Sequence, residues 1–379
     1  MGSLSLRAIK AVVAAVTFAA MAGITLAAGA VPAAADGPFI GVPGAQIYSN
    51  GEPVTITMEG GSARNYNQLY LELYVGSASS LYLGSNREVG TSTAVGTSAK
   101  VPKPKNGTLL ANNREGNVKR SLQAQINPND ELVFYILGWE TTDGYYTVHS
   151  LDNPDFIFYS GPGYRNAASD GEAHAAVSDL GNGAAQVGFE DLPEWYGSPQ
   201  ESPLDSYRWS DWDFNDLIFT VQNVTVLANY GFVTGGGWID SPRGAYNVNT
   251  PAYIGDAGKA NFGFVAKYIR PSDRPEGNLE FNLHFADNAR FQSTSLYWLD
   301  VEGPRARLRG AGTLNGTSLD FLLTTVDGKV SGGGGTDRFR LKTWVENLPF
   351  RNPYYNWVDS HDLIQSIQSI TDGSIVIHR

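Results

Sequence analysis

Residues 53–60, PVTITMEG, alternate apolar and polar side chains, as do 69–75, LYLELYV, and 339–346, FRLKTWVE. In an extended chain that period of two turns one set of side chains inward and the other to water, so each stretch predicts a β-strand. ELVFYILGW (131–139) and LIFTVQNVTVL (217–227) are continuous apolar runs of strand type. Turn signals separate these segments: SNGEP, NPND, TTDG, GPG, GNG, TLNGTS and VDGK. Strands at spacings of roughly 8–12 residues predict an all-β chain of sandwich or jelly-roll type. The one helical pattern is DLIQSIQSI (362–370), with Leu363, Ile364, Ile367 and Ile370 at helical spacing; a single turn or an irregular loop fits it equally. Val95 to Asn117, rich in Pro, Lys, Gly, Asn and Ser, reads as a long exposed loop.

The N-terminus departs from this pattern. MGSLSLRAIK carries two cations, an Ala-rich apolar run follows, and VPAAA supplies small residues before Asp36. This is the layout of a secretory signal peptide spanning 1–35, cleaved after Ala35. A boundary near LANYG (227–231) divides the remainder into domains of about 36–227 and 228–379, giving two β-sandwich or jelly-roll-like domains after a cleaved signal peptide.

Charge and cysteine content narrow the function classes. The chain carries −11; losing Arg7 and Lys10 with the signal peptide takes it to −13. Such a surface repels nucleic acid and anionic membrane and favours divalent cations. There is no cysteine, so neither a disulfide framework nor a lipid anchor on a cysteine is available. No apolar segment near the C-terminus predicts membrane insertion once the signal is removed. The expectation is a secreted protein, free or surface-associated, with metal ions in the stapling role that disulfides lack.

The strongest local signal is SDWDFNDLIFTV (210–221). Asp211, Asp213 and Asn215 stand at i, i+2 and i+4, with Asp216 adjacent. They share a face in an extended chain, or converge in a tight loop as the first ligands of a calcium loop do. Trp212 and Phe214 take the opposite side and can lock the loop onto a core. A Gly at the sixth position and a following helix are both missing, so only the alternating-ligand logic of an EF-hand applies. Upstream, Glu190 and Asp191 in QVGFEDLP also end a short apolar strand. If the two acidic ends meet, Glu190, Asp191, Asp211, Asp213, Asn215 and Asp216 form an oxygen-rich site suited to Ca2+ rather than zinc. A solvated acidic turn capping backbone N–H groups is the competing reading.

DGEAHAAV (170–177), VGFEDLP (187–193) and SDWDFNDLIFTV, in that order, resemble the DUF4114 family; NDELVFYILGW (129–139) resembles its opening strand. The resemblance covers about 129–224. It implies an exported bacterial protein, often adhesin-like or surface-displayed, with a calcium site at the D-x-D-x-N-D motif and no established general activity. The insertion PEWYGSPQESPLDSYRW departs from the usual close spacing of the two acidic motifs. GFVTGGGWIDSPRGAY, GKANFGFVAKY, STSLYWL, GTLNG, GGGGTDRFRLKTW and GSIVIHR resemble a post-COAP-1-like C-terminal module of bacterial secreted and surface proteins, over about 231–379. That resemblance implies export and surface display.

The glycine runs 235–237 and 332–335 lack the Lys-Ser/Thr and helix of a phosphate loop; they read as sheet corners, with Asp337 satisfying exposed N–H groups. Trp238 and Trp344 read as packing residues. The histidines, His149, His174, His284, His361 and His378, are scattered, and neither HExxH nor G-x-S-x-G occurs. His174 reads as a structural hydrogen-bonding residue. A glycosidase needs two carboxyls across a cleft; Glu190 and Glu194 can be imagined in that role, but Glu190 is better used on a metal. The sequence therefore predicts a non-enzymatic, calcium-stabilised extracellular protein with an adhesive, matrix or surface-associated binding role. The alternative is a calcium-dependent carbohydrate-binding module with Trp195, Tyr196, Tyr207 and Trp209 as candidate ligand platform. A glycan-acting hydrolase has the weakest support. The expected partner is a glycan or a surface or matrix component.

Overall fold

The computed structural model describes residues 37–61, 63, 66–72, 80–85, 118–121, 127–139, 155–193, 210–247, 256–270, 272–345, 353–356 and 367–378. The expected signal peptide, the expected loop Val95–Asn117, Glu194 and the aromatic candidates Trp195, Tyr196, Tyr207 and Trp209 lie outside the described residues.

The chain is all-β, as its alternation predicts. Before residue 228 run β1 (Val42–Pro43), β2 (Gln46–Ser49), β3 (Thr55–Gly60), β4 (Tyr66–Glu72), β5 (Ser80–Ser85), β6 (Val118–Ser121), β7 (Val133–Trp139), β8 (Phe156–Tyr159), β9 (Ala175–Gly181), β10 (Ala184–Phe189), β11 (Leu217–Gln222) and β12 (Val224–Leu227). After it run β13 (Phe232–Ser241), β14 (Gly258–Tyr268), β15 (Pro275–Leu283), β16 (Arg290–Glu302), β17 (Arg305–Leu314), β18 (Thr317–Val326), β19 (Arg338–Trp344), β20 (Tyr354–Tyr355), β21 (Gln368–Ser369) and β22 (Asp372–His378). Among the described residues, strands of each half pair only within that half. The first half holds a six-stranded sheet, β1-β9-β10-β11-β3-β6, a four-stranded sheet, β5-β4-β7-β8, and the pair β12-β2; the second is one ten-stranded antiparallel sheet. Residues 34–379 nevertheless form one compact unit, and one apolar cluster draws residues from both halves, from Phe134 and Phe219 to Phe281 and Phe339.

Local sequence explains most of these elements. β3 alternates half-buried and buried along TITMEG. LIFTVQNVTVL divides into β11 and β12 because Asn223 takes a left-handed φ of 66°, which Asn tolerates better than most residues. The turn sends β12 to a different sheet, against β2. The alternation in β19 predicts a half-exposed strand, yet Arg340 and Lys342 are buried as well as Phe339 and Leu341. The Lys342 amine lies 5.3 Å from the Trp344 ring centroid, so its aliphatic stem covers apolar surface. Of the helical pattern at 362–370, the described end is extended instead: Gln368–Ser369 pairs with Arg338–Phe339, an edge whose backbone groups need partners.

The second sheet rolls over on itself. Phe262 on β14 stacks on Phe339 on β19, with centroids 4.3 Å apart, although four strands separate them in the sheet. Carboxylates close the remaining edge: the N–H groups of Ile375 and Ile377 on β22 donate to Asp337 Oδ2 at 2.7 Å and Asp327 Oδ2 at 3.1 Å. Asp337 thus satisfies strand N–H groups as expected, and an open edge is blunted without another strand. The glycine run between these aspartates turns through φ of 90°, 75° and 79° at Gly332, Gly334 and Gly335, a conformation costly for side-chain-bearing residues.

Asp300, at the inner end of β16, is buried. Desolvation pushes its pKa up to about 7, opposed by Arg307 and reinforced by Glu302 and Glu172. A folded value above the ordinary 3.8 means that its contribution is fully present below that value and lost as pH rises through about 7. With CaCl2 held in excess, stability should therefore fall between about pH 4 and 7 by up to about 1.4 kcal/mol per pH unit and level off at higher pH. Asp300→Asn should flatten this slope in urea titrations; an unchanged slope would assign it to other groups.

Candidate cation site between two strand ends

The antiparallel register of β10 and β11 builds the site. Phe189 pairs with Leu217, so Glu190 and Asp191, just past the end of β10, lie beside Asp216, just before the start of β11. The backbone closes this corner: Asp216 N–H donates to Phe189 O at 3.0 Å, and Asp191 N–H donates to Asp216 Oδ2 at 2.8 Å.

The DWDFND segment is a coiled loop rather than a continuation of the strand. An extended chain would separate i and i+2 side chains by about 6.6 Å, too far for a common ion. Trp212 and Phe214 instead adopt left-handed φ of 56° and 54°, which is strained for aromatic residues and worth roughly 1–3 kcal/mol each. The coil brings carboxylate oxygens of Asp211, Asp213 and Glu190 within 4.8 Å of one another, and likewise those of Glu190, Asp191 and Asp216. All five expected carboxylates are thus assembled. Asn215 is buried beside them; its Nδ2 donates to Asp213 Oδ2 at 2.5 Å and to the Gly37 carbonyl at 3.3 Å. In this arrangement it orients Asp213.

Trp212 and Phe214 hold the loop, as their alternation with the acids predicts. Both are buried in a second apolar cluster with Phe39, Ala176, Ile218, Trp298, Leu322 and Trp344. Trp298 Nε1 donates to Trp212 O at 3.0 Å, and Arg309 Nε donates to Asp211 O at 2.8 Å. The Arg307 guanidinium lies 3.8 Å from the Trp212 ring centroid, a cation–π distance. One face of the loop therefore carries the acids while the other docks onto the second half.

Burial drives the electrostatics. Glu190, Asp213 and Asp216 are pushed well above the usual carboxylate range, first by desolvation and then by neighbouring carboxylates. Asp211 is raised by desolvation as well, with Arg309 opposing. Glu190 is 1% exposed, and its Oε2 has no hydrogen-bond partner. An unpartnered carboxylate oxygen among four other acids carries a large desolvation cost unless a cation reaches it. Every donor is a hard oxygen, the class preferred by Ca2+ and Mg2+. His174 faces elsewhere: its Nδ1 lies 3.1 Å from Glu190 O, its Nε2 3.1 Å from both Asp170 oxygens, and its ring stacks on Phe158. It braces the β10 end, the structural role read from the sequence.

Several contributors were not anticipated. Asn67 Nδ2 donates to Asp191 Oδ2 at 2.5 Å from 124 residues away, and no local pattern marks it. Arg305, Arg307 and Arg309 alternate along RARLRG and did leave a signal: three cations on one strand face need an acidic or aromatic partner surface. They meet Glu172, Trp212 and the Asp211 carbonyl. No protein-family model, curated protein or solved structure matches this chain.

Proposed function

We propose that this chain is an exported β protein stapled by calcium, serving an adhesive, matrix or surface-associated binding role outside the cell. The observation that carries the calcium reading is the buried, unpartnered Glu190 Oε2 at the centre of four other carboxylates. A divalent ion there offsets their repulsion and the strain of the left-handed loop. It also fixes the loop face on which the second half docks, a task that disulfides perform in other extracellular proteins. The acidic net charge, the absence of cysteine and the signal-peptide pattern support an extracellular setting. The adhesive role rests on the family resemblances.

Asp213→Ala tests the ligand assignment. It should remove most of the calcium-induced rise in melting temperature, read by differential scanning fluorimetry. A wild-type response in that variant would place the calcium effect at another ligand set. A glycan array on the same protein tests whether sugars are the partner.

A further inference from the structure

We propose that the acidic cluster holds two divalent cations, with the Glu190 carboxylate bridging them; this rests on the cation reading above and adds the number of ions and their separate ligand sets. The five carboxylates fall into two sets of three rather than one set of five: Glu190 with Asp211 and Asp213, and Glu190 with Asp191 and Asp216. Within each set the oxygens lie no more than 4.8 Å apart. Two oxygens bound to one calcium at about 2.3–2.6 Å are separated by at most about 5 Å, so each set has the span of a single ion. Glu190 alone belongs to both. Its Oε2 is buried without a partner, as a bridging carboxylate requires before metal arrives.

Charge points the same way among the described residues. The five carboxylates bring −5; one divalent ion leaves −3 and two leave −1. With Glu190 and Asp191 buried and Asp211, Asp213 and Asp216 half-buried, the smaller residual charge carries the smaller desolvation cost. Arg309, whose field reaches Asp211 and Asp213, directs its N–H groups to the Asp211 and Gly310 carbonyls and to Asp320, so it forms no ion pair with these five side chains. The two sets also sit on separate backbone supports. Asp211 and Asp213 belong to the coiled loop, while Asp191 and Asp216 are cross-linked at the β10–β11 corner by the Asp191 N–H. Loss of one set therefore leaves the other's scaffold in place.

The test is calcium stoichiometry on the metal-stripped full-length mature protein, by isothermal titration with CaCl2. The expected result is two ions per chain. Asp216→Asn and Asp211→Asn should each lower the count to one, while Glu190→Gln should weaken both sites by at least tenfold. One ion in the wild type, abolished equally by Asp211→Asn and Asp216→Asn, would overturn the two-ion proposal and leave the single-site reading standing. No binding at all would overturn both. Should a variant fail to fold, crystals of the wild type soaked in TbCl3 decide the question: two anomalous peaks roughly 3.5–4 Å apart support the bridged pair, and one peak rejects it.

Discussion

Stripping divalent cations with EDTA should lower the melting temperature by about 5–10 °C, and added CaCl2 should restore it. A ligand that binds only the native state stabilises it by about 2.7 kcal/mol at a hundredfold excess over its dissociation constant. At about 2–4 °C per kcal/mol for a chain of a few hundred residues, that gives the stated range. The cause is specific. Without metal, five carboxylates share one corner, Glu190 and Asp191 buried and the other three half-buried, and the raised pKa of Glu190, Asp213 and Asp216 follows from that desolvation and crowding. The loop bearing Asp211 and Asp213 also bears Trp212 and Phe214, which pack against Trp298 and Trp344 of the second half. Chelation should therefore loosen the contact between halves first, seen as faster hydrogen exchange at the Trp298 indole N–H, which donates to Trp212 O. A melting temperature unmoved by chelation and calcium would remove the stapling role.

The second large effect concerns Glu172. It is fully buried, and its two oxygens lie 2.8 Å from Arg305 Nη1 and 2.8 Å from Arg307 Nη1. Glu172→Ala leaves two cations facing a buried gap, and breaking a buried ion pair from one side costs about 3–5 kcal/mol. Urea unfolding should show a loss of that size. Because Arg307 also lies over Trp212, calcium affinity should fall in the same variant. The exposed pair Arg290–Glu280, at 3.0 Å, is the control: Glu280→Ala should change stability by less than about 1 kcal/mol. A Glu172→Ala variant as stable as that control would show that the interface relaxes around the arginines.

Much of this was legible along the chain because its physics is local. Period-two alternation requires only an extended backbone and one dry face, so β3 and β4 can be read directly. The D-x-D alternation likewise separates acids from aromatics before any fold is known. Other features resisted reading because their cause lies elsewhere in the molecule. Leu296 and Trp298 are two residues apart and should share a face. A register slip between them on β16 leaves Leu296 in the main core and turns Trp298 to the loop, since one residue of slip exchanges the two faces of a strand. The extended end of the 362–370 pattern answers to the open edge of β19, which helical spacing cannot report.

By itself, the sequence determined that this protein is all-β, that it lacks covalent staples, and which segment crowds acids against a strand. Each follows from residue type and short-range spacing. Only the tertiary structure decided which carboxylates share space. Asp191 meets Asp216 across 25 residues and Asn67 meets Asp191 across 124, through strand pairings that no window of sequence contains. It also decided that the back of the acidic loop is the seam between the halves, because burying two strained aromatic residues required a partner surface, and the arginine-bearing face of β17 with Trp298 supplies it.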